Sequence, residues 1–248
     1  MILEIRLSNF FSIKEEIVLD LTAGNSQSKK AVDLSHNVFK HEDNTVLKTV
    51  ALYGSNASGK SNIIKAIRFC CTMILQSHLH NENVVFNFKP FKFNGFKEKP
   101  SMFQIKFICN DIEYEYSFAI KSNKILKESL YYYPNNRRAK VFTRDETIKG
   151  DKKNKYDFGA AIKRPLDVAE NTSDKTLYIS RASQMDRDLA KDIFNFFNEQ
   201  FLLGYVSVQA QNFELLFKAN KNIILNTLQI ADSDIVDIKI KKEEVIVK

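Results

Sequence analysis

The sequence predicts a mixed α/β fold, and three observations carry that prediction. A glycine-bounded octapeptide stands between an apolar run and an amphipathic helix. Aromatic residues alternate on either side of a two-residue turn, and apolar residues further on return at helical spacing. The chain has 248 residues, of which 44% are hydrophobic and 12% aromatic, so it can bury a sizeable core and is not a disordered chain. Twenty Phe and nine Tyr against seven Gly and four Pro favour dense β-structure with few flexible linkers. The net charge of +7 suits polyanionic partners, nucleic acid or nucleotide phosphates, although ordinary solvated surfaces carry such a surplus too.

Taken in order, Leu3, Ile5 and Leu7 alternate with Glu4 and Arg6, and Ile17, Leu19 and Leu21 alternate with Val18 and Asp20. Both stretches read as strands, joined across Ser8 to Glu15. Thr22 to Asn44 is polar and reads as loop. Val46 to Tyr53 is mostly apolar, the mark of a strand covered on both faces. Phe103, Ile105 and Phe107 alternate into an Asn110-Asp111 turn and back through Ile112, Tyr114, Tyr116 and Phe118. A two-residue turn then sets Phe107 opposite Tyr114, Ile105 opposite Tyr116 and Phe103 opposite Phe118, with Lys106 opposite Glu115 on the other face. Ile125 to Tyr133 and Ala139 to Thr143 follow as strands around Pro134-Asn135-Asn136, giving an antiparallel β-lobe from Phe91 to Arg144.

Asp145 to Lys175 is charged, with Lys152, Lys153 and Lys155 near Gly150, and is expected to be flexible. Leu189, Ile193, Phe196 and Phe197 place an amphipathic helix over Asp186 to Gln200. The remainder reads as a strand at Tyr205 to Val208, helices over Phe213 to Ile230, and a hairpin from Ile235 to Ile240 and Val245 to Val247.

Composition and patterning also restrict location. The opening residues, Met1 to Arg6, read as strand rather than as an apolar leader. Ile63 to Leu75 is broken by Lys65 and Arg68 and cannot span a bilayer. Three cysteines, two of them adjacent, supply neither a disulfide framework nor metal-ligand spacing. A cytoplasmic protein without a membrane partner is expected.

One segment carries chemistry. Gly54-Ser55-Asn56-Ala57-Ser58-Gly59-Lys60-Ser61 matches G-x-x-x-x-G-K-[ST], a pattern that chance supplies in only roughly 0.2–0.3% of chains of this composition. Gly54 and Gly59 are expected to turn through positive φ and to let phosphates approach without a Cβ in the way. Successive amides and the positive end of the following helix then form an anion cradle. Lys60 reaches the β- and γ-phosphates, and the Ser61 hydroxyl is placed to ligate Mg²⁺. The helix is present: Ile63, Ile64, Ile67, Cys70, Cys71, Ile74 and Leu75 fit one face, with Lys65 and Arg68 opposite. ATP and Mg²⁺ are the expected cofactors.

Asn9-Phe10-Phe11-Ser12 between two opening strands, followed by Gly54 to Asn62, resembles the ABC-type ATPases of the RecF and SMC branch. It is closer to the AAA-annotated ATP-binding proteins of phage-defence and abortive-infection operons, some related to overcoming-lysogenization-defect nucleases. The resemblance implies the N-terminal part of a P-loop NTPase head, with an antiparallel β-lobe and helical segments. Its parts are nucleotide-binding strands, loop and helix at 1–85, the β-lobe at 86–144, the charged segment at 145–175, and a helical and strand segment at 176–248. It further implies that Gly54 to Ser61 hold the triphosphate and Mg²⁺, with Asn62, Asn9 and Ser12 beside the nucleotide. Family members often carry Arg or Lys where this chain has Phe11, so a cationic contact from that position loses its basis. The best match to a glutamine that helps hold Mg²⁺ and the attacking water is Gln184, read as following a strand, which also reads as a polar residue at a helix entry. In the family, paired heads sandwich ATP and act on nucleic acid (DNA or RNA) or on an effector nuclease. A homodimer, or a complementing C-terminal segment or partner protein, is therefore implied.

Hydrolysis needs an acidic residue at the end of an apolar strand. After the octapeptide no such run ends in Asp-Glu. Asp20 and Asp237 both read as strand-alternation residues, and no Leu-Ser-Gly-Gly-like signature occurs. His36, His41, His78 and His80 all lie far from the C-terminus. The chain is thus expected to carry the gripping half of an ATPase and to stop before the hydrolytic half, as a natural truncation or a split gene. Two alternatives stand beside this reading. One is a P-loop kinase using Arg137, Arg138 or Arg144 to clamp the phosphoryl group, and the other a non-hydrolysing nucleotide-sensing subunit. Arg137 and Arg138 beside Tyr131 to Tyr133, and the Lys152 to Lys155 cluster, read either as nucleic-acid contacts or as a hairpin end and a solvated loop. His78 and His80 read as solvated rather than metal-bound.

Overall fold

A computed structural model describes residues 1–24, 35–41, 44–56, 58–163, 165–200, 210–231 and 235–240. The chain divides into two compact units, Met1–Leu202 and Leu203–Lys248.

The first unit is built on a seven-stranded sheet in the order β2-β1-β5-β6-β7-β8-β9. Its strands are β1 (Ile2–Ser8), β2 (Ile17–Asp20), β5 (Ser101–Cys109), β6 (Ile112–Lys121), β7 (Lys124–Tyr132), β8 (Ala139–Asp145) and β9 (Tyr156–Phe158). Every pairing in it is antiparallel. The expected hairpin register holds, with Phe107 opposite Tyr114, Ile105 opposite Tyr116, Phe103 opposite Phe118, and Lys106 opposite Glu115. Asn110 and Asp111 both have positive φ, as a type I′ turn requires to match the strand twist. The sheet is continuous across the expected 85/86 boundary, because β1 pairs directly with β5.

One face of this sheet carries the core. Helices α1 (Lys60–Gln76), α3 (Tyr178–Gln184) and α4 (Asp188–Gln200) lie on that side. Phe107 packs 4.9 Å from Phe196, Phe69 lies 5.4 Å from Phe103, and Phe142 lies 4.5 Å from Tyr178, all between ring centroids. Helix α1 buries Ala66, Ile67, Phe69, Cys70, Cys71, Met73 and Ile74. Ile64, expected on that face, is instead 54% exposed. Phe69 and Met73 centre the stripe one position further round. The three cysteines are free and buried.

Several elements differ from the sequence reading. Within Thr22 to Asn44, residues Val38–His41 form β3, which pairs with β4 at Asn44–Leu47; 25–34 and 42–43 lie outside the described residues. The run from Val46 to Tyr53 is strand only as far as Leu47. Beyond Lys48, whose amide donates to Asn37 O at 2.9 Å, no strand among the described residues pairs with 49–53, and Tyr53 is 91% exposed. An apolar run becomes a doubly covered strand only where neighbours supply both ladders, so pattern alone was insufficient here. The lobe begins at Ser101 rather than Phe91. Asp145 to Lys175 is structured, containing a short 3₁₀ turn at Lys152–Lys155, β9, and α2 (Pro165–Glu170).

In the second unit α5 runs over Ala210–Ala231 as one helix. Residues 235–240 are irregular rather than a strand, tied back where the Gln229 amide donates to the Ile235 carbonyl at 2.8 Å and Lys221 pairs with Asp237 at 2.6 Å. The expected strands at Tyr205 to Val208 and Val245 to Val247 fall outside the described residues. No helix among the described residues is long and apolar enough to cross a membrane.

Candidate functional site

The octapeptide leads directly into α1. Gly59 is the helix N-cap with φ 98° and ψ 2°, a left-handed conformation that an L side chain strains to adopt. A Cβ there would also lie 2.9 Å from Ser12 Oγ. Gly54, expected to share the positive φ, does not; its need is space, since a Cβ would meet Ser58 Oγ at 2.7 Å. The loop is held by its own backbone, with the Ser58 amide donating to Ser55 O at 3.2 Å and the Asn62 amide to Gly59 O at 2.8 Å.

Lys60 curls back over this loop. Its ammonium donates to Gly54 O and Ser55 O, both at 2.7 Å, and reaches Ser58 Oγ at 3.3 Å. The α1 N-terminus has no side-chain cap hydrogen bond and no acidic residue in its first turn. The Lys60 and Ser61 amides have no intrahelical acceptor, and the helix dipole there is positive. Ser55, Asn56, Ser58 and Ser61 are exposed around it; Ala57 lies outside the described residues. A loop whose glycine at 59 adopts a left-handed conformation, an uncapped helix start and a lysine ammonium over the loop together fit a polyphosphate. For Mg²⁺ the segment offers the exposed Ser61 hydroxyl, a hard oxygen donor of the kind that ion takes. Among the described residues no group of three acidic, His or Cys side chains is placed to hold a metal unaided.

The Asn9 to Ser12 turn divides into two roles. Ser12 meets the site, its Oγ accepting from the Asn62 side-chain Nδ2 at 2.7 Å. Asn9 does not: it is 2% exposed. Its amide donates to Phe96 O, Lys99 O and Pro100 O, and its Oδ1 accepts from the Phe91 amide at 2.9 Å. With φ at 54°, Asn9 is a turn residue that clamps the 91–100 loop and leaves no polar atom for a nucleotide. Phe11, also at positive φ, is anchored by its amide to Lys89 O at 2.8 Å, and Lys65 Nζ lies 5.7 Å from its ring centroid.

Gln184 closes α3 rather than following a strand, and its Oε1 accepts from Arg181 at 2.7 Å. Arg144 is fully buried, on the Ser173 and Thr176 carbonyls and on Glu146 and Glu128, so it is no phosphoryl clamp. Arg138 stacks 3.4 Å from the Tyr131 ring and pairs with Glu115 at 2.8 Å. Lys152 donates to Glu170 O at 3.1 Å and to Thr172 O, while Lys155 pairs with Glu146 at 2.9 Å. These cations hold the fold together. Asp20 caps its own turn through Thr22. His78 Nδ1 lies 3.0 Å from Ser180 Oγ, and His80 Nδ1 lies 3.1 Å from Lys175 O.

Sequence reasoning missed the buried Glu128. It accepts from Tyr116 Oη at 2.8 Å and from the Tyr178 and Ile179 amides at 2.7 and 3.1 Å, capping α3. Burial pushes its carboxyl above the usual range, against the opposing pull of Arg144. A signal existed: Glu128 and Arg144 share the inward parity of β7 and β8 and stand directly opposite each other.

A mixed α/β domain with this loop feeding an uncapped helix defines the P-loop nucleotide-binding class. Within that class, residues 50–242 match the family described as "AAA domain, putative AbiEii toxin, Type IV TA system", and the chain belongs to it. This family carries P-loop ATPases of the AAA type, which use ATP. No curated protein matches the chain.

Proposed function

We propose that this chain grips ATP·Mg²⁺ through Gly54 to Ser61 as one part of a composite ATPase of the RecF/SMC-like ABC class. The observation that carries the reading is the pair of loop carbonyls under the Lys60 ammonium, beside an uncapped and uncompensated helix start. Triphosphate oxygens compete with Gly54 O and Ser55 O for that ammonium, because a charge-assisted bond to phosphate exceeds one to a neutral carbonyl. Lys60 then swings from the loop to the β- and γ-phosphates. Ser61 supplies one oxygen to Mg²⁺, and Ser12 with Asn62 forms the wall next to Gly59. Bound Mg²⁺ offsets charge on the phosphate oxygens.

The carboxylate that completes hydrolysis comes, in this reading, from a complementing segment or partner protein, while a second copy of the chain would close over the nucleotide without supplying it. Support for an external source is the 49–53 run, which no strand among the described residues pairs with, and Tyr53 exposed just before the loop. The nucleotide state is then coupled to nucleic acid or an effector nuclease in phage defence, in the cytoplasm.

Isothermal titration of the purified chain with ATP·Mg²⁺ tests this. Weak binding that Lys60→Ala removes, with negligible turnover, is the expected result. Robust turnover by the chain alone would refute the composite site, and no heat at millimolar ATP would refute the binding itself.

A further inference from the structure

We propose that the loop of residues 86–100 is a binding surface for single-stranded nucleic acid. Its sequence interleaves aromatic and basic residues from Phe86 to Lys99, with four lysines against one glutamate. Pro90, the Asn94-Gly95 turn and Pro100 prevent this alternation from forming a strand, and the segment is irregular apart from one short 3₁₀ turn at Phe96–Glu98. Phe86 and Phe88 turn inward onto Phe69. The other rings stay at the surface as a cluster, Phe91 lying 5.6 Å from Phe93 and 5.9 Å from Phe96, edge to face.

Phe93 is 67% exposed and is the outermost ring. Lys89, Lys92, Lys97 and Lys99 are all exposed, and among the described residues none has a carboxylate within ion-pair distance. This contrasts with Arg138, Lys140, Lys152 and Lys155, whose charge is consumed within the fold. Lys99 and Lys14 stand 4.2 and 5.5 Å from the Phe96 centroid, so cations flank the aromatic cluster.

An open π-face beside unpaired ammonium groups is what an unstacked base and its flanking phosphates require. A duplex keeps its bases stacked and would use only the lysines. An anionic membrane would need several protruding apolar groups, and here Phe91 and Phe96 are half-buried, Phe93 is the one ring standing clear, and the small Val85 side chain is exposed just before the loop. The surface is also rigidly placed. Asn9 clamps Phe91, Phe96, Lys99 and Pro100, and the Phe11 amide holds Lys89 O, on the same turn whose Ser12 touches Asn62. The inference goes beyond the nucleotide reading and does not need it, since no residue of the octapeptide takes part.

The test is fluorescence anisotropy of a labelled 20-nucleotide oligo-dT with the whole chain, without ATP, across a salt series. Phe93→Ala is expected to weaken binding roughly 5- to 150-fold, the range of one lost base stack, while Phe93→Tyr retains it. The Lys92→Gln/Lys97→Gln double variant should flatten the log–log salt slope by about 1.4. Lys60→Ala should leave the affinity unchanged, which separates this surface from the nucleotide site. Absence of binding at low salt, equal affinity in Phe93→Ala, or loss in Lys60→Ala would each overturn the proposal. So would binding to phosphatidylserine vesicles in place of the oligonucleotide.

Discussion

Lys60 and Arg144 make the same kind of contact and serve opposite ends. Each places a cation on two main-chain carbonyls, Lys60 on Gly54 and Ser55, Arg144 on Ser173 and Thr176. Arg144 has a side-chain exposure of 0% and is closed in by Glu146 and Glu128. Lys60 sits at the surface with no carboxylate partner among the described residues. Desolvation makes the first arrangement permanent, because an uncompensated buried charge is costly. Water keeps the second exchangeable, so a better anion can displace the carbonyls. The same chemistry is a rivet in one place and a poised hand in the other.

The largest expected effect breaks the rivet. Glu128→Ala removes one of the two carboxylates around buried Arg144, orphans the Tyr116 hydroxyl and uncaps α3, and should cost about 3–5 kcal/mol in urea unfolding. Next, Lys60→Ala should leave the unfolding free energy in urea within about 0.5 kcal/mol of wild type while lowering ATP affinity roughly 10- to 100-fold by calorimetry. If Lys60→Ala destabilised the fold as Glu128→Ala does, the contrast would fail.

Gly59→Ala sharpens the comparison, since it touches both stability and site. A Cβ at φ 98° and 2.9 Å from Ser12 Oγ should cost about 1–2 kcal/mol of unfolding free energy and weaken nucleotide binding together. Asn9→Ala should cost about 1–3 kcal/mol by orphaning the Phe91 amide and three carbonyls, with ATP affinity changed far less than in Lys60→Ala.

The smallest effect is a pH dependence on the solvent-facing side of the sheet. The hydrogen bond from Arg6 holds the Glu4 carboxyl below its ordinary 4.5, and the bonds from Thr22 hold Asp20 below 3.8. Both groups bind protons more weakly folded than unfolded. Their stabilisation is therefore present above those ordinary values and lost as pH falls through the lowered ones. Thermal midpoints should drop below about pH 4.5, and Glu4→Gln should flatten that drop.

The β5–β6 register was legible because the Asn110-Asp111 turn and the period-2 pattern are local and agree with each other. The octapeptide was legible for a similar reason: its glycines, lysine and serine act through backbone geometry within eight residues. Asn9 was misplaced because its partners are 82 to 91 positions away, a distance no local pattern encodes. Residues 88–99 imitate strand alternation, and only their proline and turn residues show why they stay a loop. Gln184 looked like a residue after a strand because Leu177 to Ser180 is a short apolar stretch, which periodicity alone cannot assign to helix or strand.

By itself the sequence determined the glycine-bounded loop of Gly54 to Ser61, to which we assign phosphate binding, the amphipathic helix behind it and the pairing of the central hairpin. Tertiary structure alone decided which charges are withdrawn from water, sending Arg144, Lys152 and Lys155 into the framework and leaving Lys60 and the 89–99 lysines outside. The reason is that hydrophobic pattern and turn chemistry act between neighbours, whereas desolvation depends on every segment that closes over a side chain.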